Sequence, residues 1–285
     1  MSPVKEPSYF ASEVRPSAFA EDFRCQAAKN AENLRRFLDN PVPGAPHPEG
    51  IVAKWEDYLK LFRGVTEEQA IGEASVVYLW SETAAANIHA AIPNARIIMI
   101  LRDPAERAFS QYLHNARDGV VRGSFRKQIG LATRNKWREF HPLYPFLENG
   151  LYYQQVQRYL NLFPRENVRI FLYEEAWSDP PALIKDIFEF LGVDPGFSTD
   201  LSRRELERRA PRSMTANYLL NRSSAGACLR RWLPGSLRSR LRTLLFKPRA
   251  VTMDSRDRRY LRDFYREDVD RLAELLARDL RIWLD

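Results

Sequence analysis

Residues 95–119 read ARIIMILRDPAERAFSQYLHNARDG. An apolar run with β-branched residues ends at Leu101, Arg102-Asp103-Pro104 follows, and a helical pattern starts at once. The length of the run and its lack of alternation predict a fully buried strand of a parallel sheet. Asp103 is placed to cap the next helix and Pro104 to open its first turn. Along that helix Phe109, Tyr112, Leu113 and Ala116 form an apolar side, while Arg107, Ser110 and His114 share another. Ligands of open parallel sheets sit where strands end and helices begin. A helix start adds backbone N–H groups and a partial positive charge. A guanidinium at that edge can hold two phosphate oxygens at once, which an ammonium cannot. Ser110 lies roughly 9 Å along the helix from Pro104. The pattern therefore suits a nucleotide monophosphate lying against the helix flank near Ser110, with Arg102 folded over it. The other reading pairs Arg102 with Asp103 or Glu106 and leaves Ser110 to packing.

The rest of the chain repeats this alternation. Residues 17–39 read as a helix with Phe19, Phe23, Ala27, Leu34 and Leu38 inward, and Arg35, Arg36 and Asp39 in water. The Pro-rich stretch 40–50 is a loop, and WEDYLKLF (55–62) returns to the helical period. QAIGEAS (69–75) reads as a short buried strand, and 81–92 as a helix with Ser81 at its N-cap. A second unit follows, with a helix over 150–163, a strand over 167–173 and a helix over 180–192 closed by Gly192. Alternating strands and helices predict an α/β fold, a parallel sheet with helices on its faces. Beyond about residue 200 the chain is helical and basic. Its last helix, near 255–283, carries Leu261, Phe264, Val269, Leu272, Leu276, Leu280 and Trp283 as a packing stripe.

The chain has 285 residues, 44 Lys+Arg against 37 Asp+Glu, and a net charge of +7. That length suits one large domain or two smaller ones. The basic excess is compatible with anionic ligands without naming one. Two cysteines are too few for a disulfide framework, and no run of about 20 apolar residues is present. A cytoplasmic protein with no membrane partner is expected. Four scattered histidines (His47, His89, His114 and His141) give no metal-ligand spacing, so no metal is expected. The arginines between 203 and 242 would suit nucleic acid. The aromatics, however, fall at helical core spacing, so a solvated basic face is expected and no nucleic-acid partner.

The segment IIMILRDPAERAFSQYLHNARDG resembles the 3′-phosphate-binding segment of sulfotransferases that use 3′-phosphoadenosine 5′-phosphosulfate (PAPS). The likeness runs along the chain. KEPSYF (5–10) resembles the Lys-Glu-x-x-aromatic-Phe segment of the bacterial and heparan-sulfate-type branch. IGEASVVYL (71–79) resembles its GE(A/K)SPxYL segment. Residues 150–180 resemble its helix–strand–YEDL…DP unit, and APRSMTANYLL (210–220) and 264–284 its C-terminal region. The resemblance implies a single sulfotransferase-like domain over 1–285, with about 200–285 as a helical C-terminal part. It implies a P-loop-NTPase-like parallel sheet flanked by helices, with PAPS as co-substrate, a hydroxyl-bearing acceptor and no metal.

Residue by residue, the resemblance implies that Arg102 and Ser110 bind the 3′-phosphate of PAPS. Glu6 matches the glutamate proposed as catalytic base in the carbohydrate-directed branch. Lys5 either aids the sulfuryl group or faces water. Arg212 falls where the family closes a loop over the nucleotide. Tyr173 lies either near the adenine or in the core, and His114 is either a base or a partly buried structural histidine. Ser8 stands where heparan-directed members often have His, and Ala74 where many have Lys, which points away from a heparan-like acceptor. Acceptor contacts are expected from loops 40–50 and 119–145.

The family also begins with a strand and a PKxGTT-like loop that holds the 5′-phosphosulfate, much as a P-loop does. The first matching motif here begins at Lys5. The chain is therefore expected to start downstream of its own donor cradle, to lack the first strand, and to be poorly active as it stands. A mis-assigned start and a non-catalytic, nucleotide-binding relative are the two explanations.

Overall fold

The structure is a computed structural model that describes residues 1–15, 21–41, 50–121, 123–133, 146–197, 200, 210–222 and 251–285. In chain order its elements are α1 (Glu21–Asp39), α2 (Trp55–Lys60), α3 (Val77–Trp80), α4 (Ala84–Ala91), β1 (Ile97–Leu101), α5 (Pro104–Arg117), α6 (Phe125–Ala132), α7 (Tyr152–Leu162), β2 (Val168–Leu172), α8 (Tyr173–Ser178), α9 (Pro180–Leu191), α10 (Met214–Arg222) and α11 (Ser255–Leu276). The chain divides into two compact units. The first is Met1–Leu101 with Arg138–Thr199, and the second is Arg102–Trp137 with Asp200–Asp285. Among the described residues no helix is long and apolar enough to cross a membrane.

In the first unit β1 and β2 pair in parallel, from Ile97 opposite Val168 to Leu101 opposite Leu172. This is the α/β arrangement that the alternating pattern predicts. The strand itself differs from expectation. Met99 and Leu101 are buried, but Ile100 is 50% exposed. The described sheet has two strands, and here one face of β1 is covered, so a continuous apolar run behaves as an alternating one. Helix α7 turns Tyr152, Val156, Tyr159 and then Phe163 inward, a helical stripe. Burying each such side chain is worth roughly 1.5–3 kcal/mol. Arg158 donates to the carbonyls of Trp80 and Ser81, satisfying the C-terminal end of α3. The helix expected over 81–92 begins at Ala84, with Thr83 and not Ser81 in the N-cap position; Ser81 Oγ still accepts from the Ala84 N–H at 2.9 Å. Helix α9 ends as predicted on Gly192, whose φ of +70° lies in the left-handed region.

The stretch 69–75 is not a strand. It has no regular secondary structure; Gly72 C=O accepts from the Ser2 N–H at 2.8 Å, and Glu73 and Ser75 bond to side-chain partners. Tyr173 is not the end of a strand but the first residue of α8. It stacks on Trp177 with centroids 5.6 Å apart, half-buried and outside the core.

In the second unit, α5 buries Ala105, Ala108, Phe109, Tyr112, Leu113 and Ala116, and packs on α11. Asp103 caps α5 as predicted, its Oδ1 accepting from the Ala105 N–H at 2.8 Å and the Glu106 N–H at 3.2 Å. Its Oδ2 meets Arg258 of α11. Arg126 of α6 and Asp257 of α11 form a second tie at 2.5 Å. At the far end of α5, Asn217 Nδ2 donates to the Ala116 and Arg117 carbonyls. Gly119 follows with φ +68°, and a Cβ there would lie 2.7 Å from Asn221 Cβ.

Three expectations fail in this unit. The last helix ends at Leu276, on Ala277 with φ +51°; the buried Leu280 precedes a 3-10 turn (Arg281–Trp283) and the buried Trp283 ends it. Tyr265, not Phe264, takes the inward position, and Phe264 is 38% exposed. The expected loop 119–145 contains α6, started by Ser124, whose Oγ accepts from the Lys127 N–H. Phe19, loop residues 42–49 and 134–145, and the arginines of 203–209 and 230–242 lie outside the described residues.

Replacing Asp103 by Ala removes a helix cap worth ~1 kcal/mol and strands a partly exposed guanidinium. Urea unfolding followed by circular dichroism is expected to show a loss of about 2 kcal/mol. An unchanged midpoint contradicts the role given to Asp103.

Candidate active site

Arg102, Ser110 and Arg212 belong to the second unit; Glu6 and Tyr173 belong to the first. Each group is built locally. Arg102 follows the last residue of β1, and its side chain is 18% exposed. Its Nη2 lies 3.7 Å from Glu106 Oε2, which is ion-pair range but too long for a hydrogen bond. The alternative pairing read from the sequence is thus present with Glu106. Asp103 is engaged elsewhere, by its own helix and by Arg258. Burial pushes the Asp103 carboxyl up, and the charge of Arg258 works against that push.

The self-cap has a consequence for ligands. The first free amides of α5 already donate to Asp103, so an anion at this junction meets side chains on the helix flank. Glu106 and Ser110 are one helical turn apart on that flank, and Ser110 is half-buried. Arg212 is exposed two residues before α10. His114 is not the partly buried histidine expected. It is 53% exposed, with Nε2 3.2 Å from Asp118 and Nδ1 2.9 Å from Arg117, its needs met on the surface.

The N-terminal segment that carries Glu6 is bolted to the first unit. Glu6 and Ser8 both have φ of +55°, a conformation uncommon for residues other than glycine and costing of order 1 kcal/mol each. Val52 N–H donates to Pro7 C=O at 2.9 Å. Asn87 Nδ2 donates to Phe10 C=O and Ser12 Oγ. Glu13 accepts from Ser81, Thr83 and the Glu82 N–H. Burial pushes the Glu13 carboxyl up, but the hydrogen bonds from Thr83, Ser81 and the Glu82 N–H outweigh it and hold the carboxyl below its usual value.

Behind Glu6 lies a group that sequence reading missed. Glu73 is a partly buried carboxylate whose Oε1 accepts from Tyr78 Oη at 2.5 Å and whose Oε2 accepts from Ser75 Oγ at 2.9 Å. Burial pushes the Glu73 carboxyl up and the charge of Glu6 adds to the push; the two hydroxyl hydrogen bonds oppose it. The Tyr78 hydroxyl is itself pushed up by burial and by Glu73. The available signal was polar: Glu73 and Ser75 sit in a stretch that otherwise reads as buried, and buried polar groups are hydrogen-bonded.

Three residues past Glu6 the chain borders an open cavity of about 530 Å³, a volume that suits a small molecule. Tyr9, Trp55, Ser12, Arg15 and Asn87 are among its lining residues. Tyr9 and Trp55 both pack on Tyr58, at centroid distances of 4.8 Å and 5.5 Å. The Arg15 guanidinium is occupied by the carbonyls of Ala11 and Val14.

The family model described as "Sulfotransferase domain" matches residues 84–273, a span that runs through both units. The membrane-associated sulfotransferase kil1 of Dictyostelium discoideum is 23% identical over 248 residues, 58% of this chain and 53% of that protein. Heparan sulfate glucosamine 3-O-sulfotransferase 6 of Homo sapiens is 27% identical over 136 residues, 48% of this chain and 39% of that protein. The bifunctional heparan sulfate N-deacetylase/N-sulfotransferase 3 of Mus musculus is 25% identical over 198 residues, 68% of this chain but 20% of that protein. The chain thus spans about half or less of these relatives. The crystal structure of a sulfotransferase from Alicyclobacillus acidocaldarius superposes with a TM-score of 0.68 at 28% identity, covering 100% of this chain and 87% of that one. The fold is the P-loop-like α/β fold implied by the sequence resemblance.

The state of Glu73 sets a pH dependence. Below its ordinary value of 4.5 the group is protonated in folded and unfolded chain alike. As pH rises through the raised value, the folded chain pays for a buried charge that the unfolded chain holds in water. Glu73→Gln removes that ionisation. The urea midpoint of the variant, relative to wild type, is expected to move in the variant's favour between pH 4 and pH 7. A difference that stays flat or runs the other way contradicts the burial of this charge.

Proposed function

The chain belongs to the sulfotransferase family, and from that premise we propose that it moves a sulfuryl group from PAPS to a hydroxyl of a carbohydrate or other small acceptor. The observation that carries the donor side is the flank of α5. Its tip is closed by Asp103, so Arg102 and Ser110 present side-chain donors where the sequence resemblance implies the 3′-phosphate. Arg102 supplies charge and a planar fork, and Ser110 a hydroxyl donor. Arg212 and Tyr173 are the further nucleotide contacts of this reading. No residue is assigned to the 5′-phosphosulfate.

On the acceptor side Glu6 is the proposed base. As the acceptor oxygen bonds to sulfur, the bond from sulfur to the bridging oxygen breaks. The leaving group is 3′-phosphoadenosine 5′-phosphate, and Glu6 takes the hydroxyl proton. The cavity beside Tyr9 and Trp55 supports an acceptor with a flat apolar face and hydroxyl edges. Aromatic rings offer the first a surface, while Asn87 and Ser12 line the cavity for the second.

Calorimetric titration with 3′-phosphoadenosine 5′-phosphate tests the donor side. Arg102→Ala is expected to weaken binding by about 1.5–3 kcal/mol and Ser110→Ala by about 1 kcal/mol. Glu106→Gln is expected to tighten it by about twofold to fivefold, because it removes an anion that competes for Arg102. Unchanged affinity in all three removes the donor assignment. Binding without transfer from PAPS to any of a panel of hydroxylated acceptors identifies a non-catalytic relative instead.

A further inference from the structure

The Glu6–Phe10 segment is held from behind by two hydroxyls, and both point their protons at one carboxylate. Ser75 Oγ donates to Glu73 Oε2 at 2.9 Å and accepts the Ser8 N–H at 3.0 Å. Tyr78 Oη donates to Glu73 Oε1 at 2.5 Å and accepts the Phe10 N–H at 3.3 Å. An ionised carboxylate only accepts. It therefore fixes each hydroxyl proton inward and leaves the oxygen lone pairs facing the N-terminal segment. Ser8 Oγ in turn donates to Glu6 C=O at 3.1 Å, which closes the turn around Glu6. Tyr78 is itself anchored, because its carbonyl accepts from Tyr159 Oη of α7 at 2.7 Å.

We propose that Glu73 is a positioning residue for sulfuryl transfer: through Ser75 and Tyr78 it clamps Ser8 and Phe10, and so holds Glu6 in its left-handed backbone conformation. This rests on the reading of Glu6 as base and deepens it. A left-handed non-glycine pair does not hold itself, and the clamp supplies restraint at Ser8 and Phe10, on the C-terminal side of Glu6. A buried charge is also a costly way merely to fill space. A leucine in its place would pack without pointing either hydroxyl outward.

Glutamine is close to isosteric but carries a donor. In the Glu73→Gln variant, one hydroxyl loses the acceptor for its proton and must share its lone pairs with an amide N–H. The alanine variant removes both acceptors. The test uses the full chain, with amide hydrogen exchange followed by NMR at pH 7. Glu73→Gln is expected to speed exchange at Ser8 or Phe10 by at least about threefold, and Glu73→Ala at both. Amides of α4 and α7 serve as the internal control and are expected to stay unchanged. Ser75→Ala is expected to affect Ser8 alone, and Tyr78→Phe to affect Phe10 alone. In sulfuryl-transfer assays, Glu73→Gln is expected to lower kcat about tenfold while the KM for PAPS holds. Unchanged exchange at both amides overturns the proposal whatever the activity. So does acceleration spread evenly over the unit, or a transfer rate that falls in Glu6→Gln but not in Glu73→Gln. Faster exchange at Ser8 and Phe10 in a chain whose transfer does not depend on Glu6 supports the clamp and contradicts the assignment of Glu6 as base.

Discussion

Asp103 carries two duties with one carboxylate, and the proposed donor side depends on both. One oxygen closes the first turn of α5. The other holds Arg258 and with it the start of α11. A helix start left open would draw an anion to its tip. Because this tip is closed, what remains for a ligand at the junction is the helix flank, where Arg102, Glu106 and Ser110 follow one another at helical spacing. The same closure makes the second unit a packed body. Leu261, Tyr265, Val269 and Leu272 of α11 are buried, as is the inward face of α5, and Asn217 of α10 satisfies the carbonyls at the other end of α5.

The acceptor side follows the same logic with a different residue. Burial pushes the carboxyl of Glu73 up, as it does that of Asp103. Each is kept useful by donors: Arg258 and two backbone amides for Asp103, Tyr78 and Ser75 for Glu73. The difference lies in the partner. Asp103 has a cation, so its charge is largely balanced. The charge of Glu73 is met by two neutral hydroxyls and opposed by Glu6, and perturbed carboxyls of that kind cluster near chemistry.

What the sequence disclosed was local. The Leu101–Arg102–Asp103–Pro104 junction announced strand end, cap and first turn within four residues. The closing of α9 by Gly192 was equally plain. Reading failed where a distant contact overruled the local pattern. Residues 69–75 have the composition of a strand, yet Glu73 and Ser75 bond to side chains and to a segment 67 residues away, so no ladder forms. Tyr265 displaced Phe264 because the two are adjacent on α11 and the period alone does not fix which ring faces in. Helix α6 was hidden because its eight residues are short and mixed in character. Of the proposed site, Arg102 and Ser110 are suggested by position, and Glu6 only by resemblance to known sequences. The clamp behind Glu6 was not legible, since it joins residues 5 to 10 to 73 to 78 through space.

The central claim is that an activated-sulfate carrier is gripped by its ribose-linked phosphate on the flank of α5. A crystal of the chain grown with 3′-phosphoadenosine 5′-phosphate tests it most directly. The account predicts the 3′-phosphate within hydrogen-bond distance of the Arg102 guanidinium and Ser110 Oγ, with the Arg102–Glu106 pair opened. A 3′-phosphate bound elsewhere, with that pair intact, contradicts it.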